Sequence, residues 1–177
     1  MASLKVSVAL LFCMQIFAAA IAAGASVVTL TDYKTCKTDV KSYMSMDFKP
    51  GDKTFNVDID TPAEVNKMFN FNIVIDKWTG TSWKKNIFSN TGQLCEYIEK
   101  SSDKFIDKLT QLSKPKIERK CPWKKGSYKI VKFPTVFNSK EYNFPTIIMG
   151  KFRVNVKVLK GKSVVACMVL EADAAMK

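Results

Sequence analysis

The sequence predicts a mostly β protein, a sandwich built from hairpins with one amphipathic helix. Apolar and polar residues alternate with a period of two through most of the chain, which is typical of strands with one wet and one dry face. Turn sequences separate the alternating runs. One segment follows a helical period instead, so we expect a single helix to interrupt the strands.

The alternating runs identify individual strands. Residues 151–158 give the clearest one, because four apolar residues alternate there with lysine, arginine and asparagine. Residues 55–60 and 69–75 alternate in the same way, and residues 128–133 and 163–170 are further β-prone runs. The turns expected between strands are Pro50-Gly51-Asp52, Thr79-Gly80-Thr81 and Lys160-Gly161-Lys162.

The helical segment extends from residue 94 to 112. Its apolar stripe consists of Leu94, Ile98, Phe105, Leu109 and Leu112. Glu96 and Lys100 have the favourable i,i+4 spacing, and Pro115 marks where the helix must have ended. The lysines at 100, 104 and 108 could form a membrane-facing stripe, but a solvated helix face is favoured.

Residues 1–23 have the features of a secretory signal peptide. Lys5 precedes an apolar run that ends in small residues. A membrane anchor is the alternative, but the run is short for a span of about 20 residues, and its small residues are typical of a cleavage site. We therefore expect a secreted, extracellular chain in which residues 24–177 form a single domain.

The cysteines favour disulfide bonds. Removal of the signal peptide takes Cys13 and leaves Cys36, Cys95, Cys121 and Cys167. Metal binding is the competing explanation, yet no Cys-x-x-Cys pair is present and the chain has no histidine. Two disulfides are predicted, and the spacing leaves all three possible pairings open.

The charge is strongly basic, with 28 Lys and Arg against 16 Asp and Glu, a formal net charge of +12. Such a balance in a secreted protein suggests contact with an anionic membrane surface or acidic glycans. Solubility alone would explain it equally well. Nucleic acid is not an expected partner, because the lysines are dispersed and no recognition motif accompanies them.

Catalysis is not expected. The usual base for a serine or cysteine nucleophile is missing because there is no histidine. Asp58 and Asp60 share a strand face and could act as a carboxylate pair, but the wet face of a half-buried strand explains them better. No phosphate loop, dinucleotide fingerprint or zinc spacing is present, so neither a cofactor nor a metal is predicted.

The aromatic residues point to an apolar ligand. A domain that leaves part of its interior empty needs large side chains around the space, although each of them could equally fill a core. The candidates for lining a cavity are Trp78, Trp83, Phe88, Phe133, Phe137, Phe144 and Phe152.

A proline-containing stretch from residue 134 to 149 is a candidate rim of such a cavity. It carries Ile147, Ile148 and Met149, and an apolar loop held out of a sheet has no evident core to fill. We expect these three residues to border the mouth and to contact a membrane or a ligand tail. A buried connector is the alternative.

One run of residues is similar to a known family. Residues 121–128, Cys-Pro-Trp-Lys-Lys-Gly-Ser-Tyr, are followed by Phe144-Pro145, by Gly150-Lys151-Phe152 and by Cys167 on a terminal strand. This pattern resembles the C-terminal half of the ganglioside activators of the lipid-recognition (ML) superfamily. Similar residues upstream, such as Trp83-Lys84, extend the likeness over most of residues 24–177. The phenylalanine- and lysine-rich character looks closer to insect contact-chemosensory proteins of the CheB type.

The resemblance implies an immunoglobulin-like β-sandwich opened into an apolar cup. It also implies disulfides from Cys36 to Cys167 and from Cys95 to Cys121. The additional cysteines of the ganglioside activators between the helix and Cys121 are absent, so the resemblance implies the fold rather than cofactor activity for a hydrolase. We expect a monomeric carrier or presenter of a lipid-like ligand, and the likeness to CheB-type proteins implies a role in chemosensation. An activator of a glycolipid hydrolase and a ligand-free interaction domain are the alternatives.

Overall fold

A computed structural model of the chain describes residues 26–100, 104–139, 142 and 149–176. The predicted signal peptide therefore lies outside the described residues, as do Phe144, Ile147 and Ile148. The prediction of a mostly β protein is confirmed, since most described residues belong to the strands of two antiparallel sheets. Within the described ranges, no helix is both long enough and apolar enough to cross a membrane.

The elements follow one another in a simple order. The strands are β1 (Ser26–Thr35), β2 (Met44–Asp47), β3 (Thr54–Thr61), β4 (Phe69–Trp78), β5 (Trp83–Gln93), β6 (Ser113–Lys114), β7 (Gly126–Pro134), β8 (Val136–Asn138), β9 (Gly150–Lys160) and β10 (Ser163–Met176). The helices are α1 (Leu94–Lys100) and α2 (Lys104–Leu112). The strands predicted from alternation lie within β3, β4, β7, β9 and β10.

The strands form two sheets of unequal size. Sheet A has six strands in the order β5-β4-β9-β10-β1-β8, and sheet B has four in the order β2-β3-β7-β6. Because successive side chains of a strand point to opposite faces, the register assigns each residue to one face. Ile75 of β4 is 3% exposed and Phe152 of β9 is 1% exposed. Their face of sheet A is called the inner face below.

The segment expected to be one helix is described as two. Residues 101–103, between α1 and α2, are outside the described part of the chain. The predicted apolar stripe does pack inward, because Ile98 is buried on α1 and Phe105, Leu109 and Leu112 of α2 pack against sheet B. The predicted pair of Glu96 and Lys100 is an ion pair on α1.

Thr135 carries the chain from sheet B to sheet A. It separates β7 from β8 and is 2% exposed. Residues 134–149 were expected to be a loop, but Phe137 lies in β8, where it is paired with Val28 of β1. The difference arises because the backbone next to Thr135 finds hydrogen-bonding partners on the edge of β1. The expectation of a loop is therefore wrong for residues 136–138.

Two disulfides join distant parts of the chain. Cys36, just after β1, is bonded to Cys167 of β10, and their Cα atoms are 5.1 Å apart. Cys95 of α1 is bonded to Cys121, with 5.7 Å between the Cα atoms. Both pairs are those that the family resemblance implied.

Buried apolar side chains form three clusters. The sheet A cluster consists of Val28, Ile75, Phe152, Ala172 and Ala174. The sheet B cluster consists of Val57, Ile130 and Phe133, against which α2 packs. The end cluster consists of Val65, Phe69 and Val165, with Tyr43, Leu94, Trp123 and Val158 around it. Among the described residues, the clusters of the two sheets share no member.

Candidate ligand-binding site

The middle of the inner face of sheet A is not fully covered. Ile73 is paired with Val156, and Val156 with Met168, in one row across the sheet; Ile75, Val154 and Leu170 form the next row. Half-buried side chains in these rows are Ile73, Val154, Val156 and Leu170, called the middle group below. They belong to β4, β9 and β10, which have neighbours on both sides. When a second sheet packs closely on such central strands, their apolar side chains are buried from solvent.

The end cluster packs the interior tightly at one end of the middle group. Phe69 is 1% exposed, Val165 is 2% exposed and Val65 is 3% exposed. Val65 and Trp123 exchange backbone hydrogen bonds of 3.0 Å, which hold the segment before β4 against the segment before β7. Both disulfides bond residues near this end. Apolar packing and the Cys95–Cys121 bond thus hold the two sheets together here, whereas Cys36–Cys167 joins the end of β1 to β10 within sheet A.

A chain of aromatic rings lies at the other end. Phe55 and Phe133 of sheet B have ring centroids 5.2 Å apart, and Phe105 of α2 is 5.2 Å from Phe133. Tyr142 is 6.0 Å from Phe105 and 5.3 Å from Phe137 of sheet A. Aromatic pairs at such distances contribute a favourable interaction energy in addition to the energy gained by burying their apolar surface. The rings therefore connect the two sheets, and the middle group lies between this connection and the end cluster.

Sheet B contributes an apolar face of its own. Val57 and Ile130 are paired and buried, and Phe55 and Ile59, on the same face of β3, are half-buried. Helix α2 packs on this face, and the tilted rings of Phe71 of sheet A and Tyr97 of α1 have centroids 4.8 Å apart. The helices thus lie against inward-facing residues of both sheets.

Three of the predicted cavity residues lie on inward-facing positions of the two sheets without sharing one location. Phe152 belongs to the sheet A cluster and Phe133 to the sheet B cluster, and each is 1% exposed. Phe137 is half-buried against the sheet A cluster. Complete burial makes Phe133 and Phe152 part of the packed core, whereas Phe137 has an accessible side.

Phe88 lies at the border of the interior. It is paired with Ile75, so the two share a face, and it is 39% exposed because β5 is an edge strand of sheet A. Ile87 beside it also packs against the sheet A cluster, because the pairing of β5 with β4 is irregular between Ile75 and Lys77 and interrupts the alternation there. An exposed phenyl ring next to half-buried apolar residues is the kind of contact that an apolar ligand can cover.

Trp78 and Trp83 lie on the outer face of sheet A. Their rings are 5.2 Å apart, and the guanidinium of Arg153 is 4.5 Å from the centroid of Trp83. Arg153 follows Phe152 in β9 and therefore points away from the interior. This placement differs from the expectation that both indoles line a cavity. The cause is strand parity, since Trp78 is an odd number of residues from Ile75.

The predicted rim is described only at its end. Met149 is half-buried and immediately precedes Gly150, which has a φ of 78° that favours glycine. Ile147 and Ile148 lie outside the described residues. The expectation that this segment borders the mouth stays a prediction.

A buried carboxylate lies behind the outer face. Oδ1 of Asp76 accepts a 2.8 Å hydrogen bond from the backbone amide of Asn86, and Oδ2 accepts from Arg153 at 2.8 Å and Asn155 at 3.2 Å. Burial opposes ionisation of Asp76, but these three hydrogen bonds outweigh it and hold its pKa below the usual value. The arrangement fixes β4, β5 and β9 to one another.

A concavity lies on the outside of the protein, beside the Cys95–Cys121 disulfide. It measures about 560 Å³ and its lining includes Glu64, Glu96 and Glu99. Glu99 accepts a hydrogen bond from the amide of Cys121, and Glu96 pairs with Lys100. In the described part of the chain, no group of three histidine, cysteine or acidic side chains could hold a metal ion.

The sequence patterns did not identify the middle group as a site. Alternation marked Ile73, Val154 and Val156 as apolar-face residues, and Leu170 belonged to a run that is apolar on both faces. Neither pattern carries information on the distance to the opposite sheet. Lys77 was also missed. It continues the alternation that begins at Phe69 and thus lies on the inner face, where a lysine is uncommon.

The chain has a distant structural similarity to a known protein but no match among family models or curated proteins. No protein-family model matches the chain, and no curated protein matches it. A solved structure similar to this chain is that of chicken MD-1 complexed with lipid IVa. The two are 13% identical, the match covers 86% of this chain and 99% of that chain, and the TM-score is 0.39. A similarity at this level assigns no function, and these comparisons do not support the closer likeness to CheB-type proteins.

Proposed function

We propose that this protein is a secreted, non-enzymatic binding protein for an apolar, lipid-like ligand that lies between its two sheets. The observation that carries the proposal is the middle group, four apolar side chains on central strands that remain half-buried between two closed ends. In a filled sandwich, these positions would be covered by the opposite sheet. Phe88 and Phe137 extend the same apolar surface toward the β5 and β8 edges.

The energetics favour a ligand with an alkyl chain. Each methylene moved from water to an apolar interior contributes about 0.8 kcal/mol. A long chain therefore gains several kcal/mol from burial alone, even after the cost of association. The accessible apolar surface of the middle group would be covered at the same time. Such binding depends mainly on chain length and shape.

Carriage or presentation of the ligand outside the cell is the role that we favour. Both disulfides suit an oxidising compartment, in agreement with the predicted signal peptide. The family resemblance supports a lipid-like ligand. The likeness to CheB-type proteins would place this carrier in chemosensation. The segment with Ile147, Ile148 and Met149 would then border the mouth and contact membranes.

A pair of neighbouring substitutions tests the proposal. Ile73 and Val74 are consecutive in β4 and point to opposite faces of sheet A. Ile73→Trp would place an indole in the interior, and Val74→Trp would place it on the outer face. The measurement is displacement of a fluorescent fatty-acid probe, with native mass spectrometry of each purified protein for co-purified lipid.

Ile73→Trp is expected to abolish or strongly weaken probe binding while the protein stays folded, and Val74→Trp is expected to bind as the unchanged protein does. If the unchanged protein neither binds the probe nor carries lipid, the interior is filled by the protein itself. A ligand-free interaction domain would then be the better description.

A further inference from the structure

Two lysines lie where the apolar inner face of sheet A ends. Lys77 of β4 is paired with Phe152 of β9, so it shares the inner face. Lys84 of β5 is paired with Lys77 and shares that face too. The row continues across the sheet with apolar residues only, since Phe152 is paired with Ala172 and Ala172 with Leu30. The inner face thus has a cationic corner beside an apolar row.

The two lysines lie at the boundary between the interior and solvent. Lys77 is half-buried and Lys84 is exposed. The next row inward contains Ile75 and the exposed ring of Phe88. A long molecule bound along the middle group would therefore reach Lys77 and Lys84 at its end.

No carboxylate of the described residues forms an ion pair with either lysine. Other cations of sheet A do have such partners: Lys151 pairs with Glu171 at 2.9 Å and Arg153 with Asp76 at 2.8 Å. Like charges directly opposite each other on neighbouring strands destabilise a sheet. Lys77 and Lys84 hold this unfavourable position beside an apolar surface, and an anion between them would relieve the repulsion.

We propose that Lys77 and Lys84 bind the anionic head group of an amphiphile whose alkyl chain occupies the interior. The inference rests on the proposed function and specifies its ligand class as a single-chain anion, with a carboxylate or a phosphate as the head. Each lysine supplies ammonium donors that suit such oxygens. The apolar row behind them excludes the head group from the interior, so the ligand has one orientation, with its head at the corner.

Four competitors of equal chain length test the head-group preference. Palmitate, hexadecyl phosphate, methyl palmitate and hexadecanol would each displace a neutral fluorescent alkyl probe from the full-length protein. The two anions are expected to compete more strongly, and the better of the two identifies the head group. The charge variant is Lys77→Gln with Lys84→Gln.

The matched control is Lys157→Gln with Lys162→Gln. It removes the same charge from two exposed positions, and Lys157 lies on the outer face, paired with Asn72 and Cys167. The charge variant is expected to lose about tenfold in affinity for the preferred anion, equivalent to about 1.4 kcal/mol. Its affinity for the neutral competitors should not change, and the control should keep the preference for anions.

Three results would overturn the inference. Equal competition by charged and neutral amphiphiles would exclude a head-group site while leaving the apolar interior in place. An equal loss in the charge variant and its control would make the preference a property of the net charge. Failure of all four competitors and of the probe would reject the proposed function together with this site.

Discussion

Nε of Arg153 donates a 2.8 Å hydrogen bond to Oδ2 of Asp76, a carboxylate whose side chain is 6% exposed. Replacing Asp76 with Ala would leave the guanidinium and the amide of Asn86 without this acceptor. Loss of one partner of a buried ion pair typically costs about 3–5 kcal/mol, and the partly exposed Arg153 favours the lower end. Urea unfolding should show this decrease in the free energy of unfolding.

The control for that substitution is Asp58→Ala. Asp58 pairs with Lys129 at 3.3 Å, but the two side chains are 42% and 50% exposed, so the change should be about 1 kcal/mol or less. Similar losses in both variants would contradict a special role for the buried carboxylate.

The pKa of Asp76 also predicts a dependence of stability on pH. Burial raises this pKa, but the hydrogen bonds from Asn86, Arg153 and Asn155 lower it by more, so it lies below the usual value of 3.8. A lowered folded-state pKa contributes stability above the unfolded-state pKa, and this contribution disappears as the pH falls through the folded-state pKa. The melting temperature should therefore fall more steeply below pH 3.8 in the unchanged protein than in Asp76→Asn. Parallel curves would count against the prediction.

Two phenylalanines on the inner face should respond differently to truncation. Phe152→Ala should lower the free energy of unfolding by about 3–5 kcal/mol, because a ring that is 1% exposed leaves a cavity. Phe88→Ala, at 39% exposure, should cost about 1 kcal/mol or less and yet weaken binding of an alkyl probe. Trp83→Ala is the control for binding, because its ring lies on the outer face. Unchanged probe affinity in Phe88→Ala would remove this residue from the site.

The two disulfides should differ in their effect on stability. The Cys36–Cys167 bond joins residues 131 apart and the Cys95–Cys121 bond residues 26 apart. In the chain-entropy model, their removal costs about 5 and about 3.5 kcal/mol respectively. Double replacement of each pair by Ala, followed by urea unfolding, measures both values. A larger loss for the shorter loop would show that packing at the end cluster outweighs loop length.

We expect the segment before β9 to contact membranes. Replacing Ile147 and Ile148 with Ser should reduce co-sedimentation with anionic vesicles and leave the melting temperature nearly unchanged. Binding by the unchanged protein should weaken with salt without vanishing, since salt screens only the contribution of the lysines. A large decrease in melting temperature would place the two isoleucines in the core instead.

The alternating pattern was sufficient for the strands with the most regular composition. In β9, polar Arg153 and Asn155 alternate with Val154 and Val156, and the sheet register keeps them on opposite faces. The edge strand β5 was not predicted, because its Lys and Asn residues interrupt the alternation and Asn86 adopts a φ of 54°. Its pairing with β4 depends on residues elsewhere, including the carboxylate of Asp76.

The site was harder to derive than the fold. Strand parity places Trp78 on the outer face and Lys77 on the inner one, whereas the prediction that Trp78 lines a cavity rested on its aromatic character. No local pattern could show that Ile73 and Val156 stay half-buried, because this depends on how closely the other sheet approaches. That distance is determined by long-range contacts such as Val65 with Trp123.

The crossing at Thr135 ties the two sheets together through backbone hydrogen bonds. Its amide donates to the carbonyl of Lys53 at 3.0 Å, and its carbonyl accepts from the amide of Leu30 at 2.8 Å. These bonds join the sheets on the side of β1 and β8, whereas β5 is the opposite edge of sheet A. Both amides can be exposed to solvent only if the backbone separates at this buried crossing, where Thr135 is 2% exposed. The amides of Leu30 and Thr135 should therefore be among the slowest in the chain to exchange hydrogen.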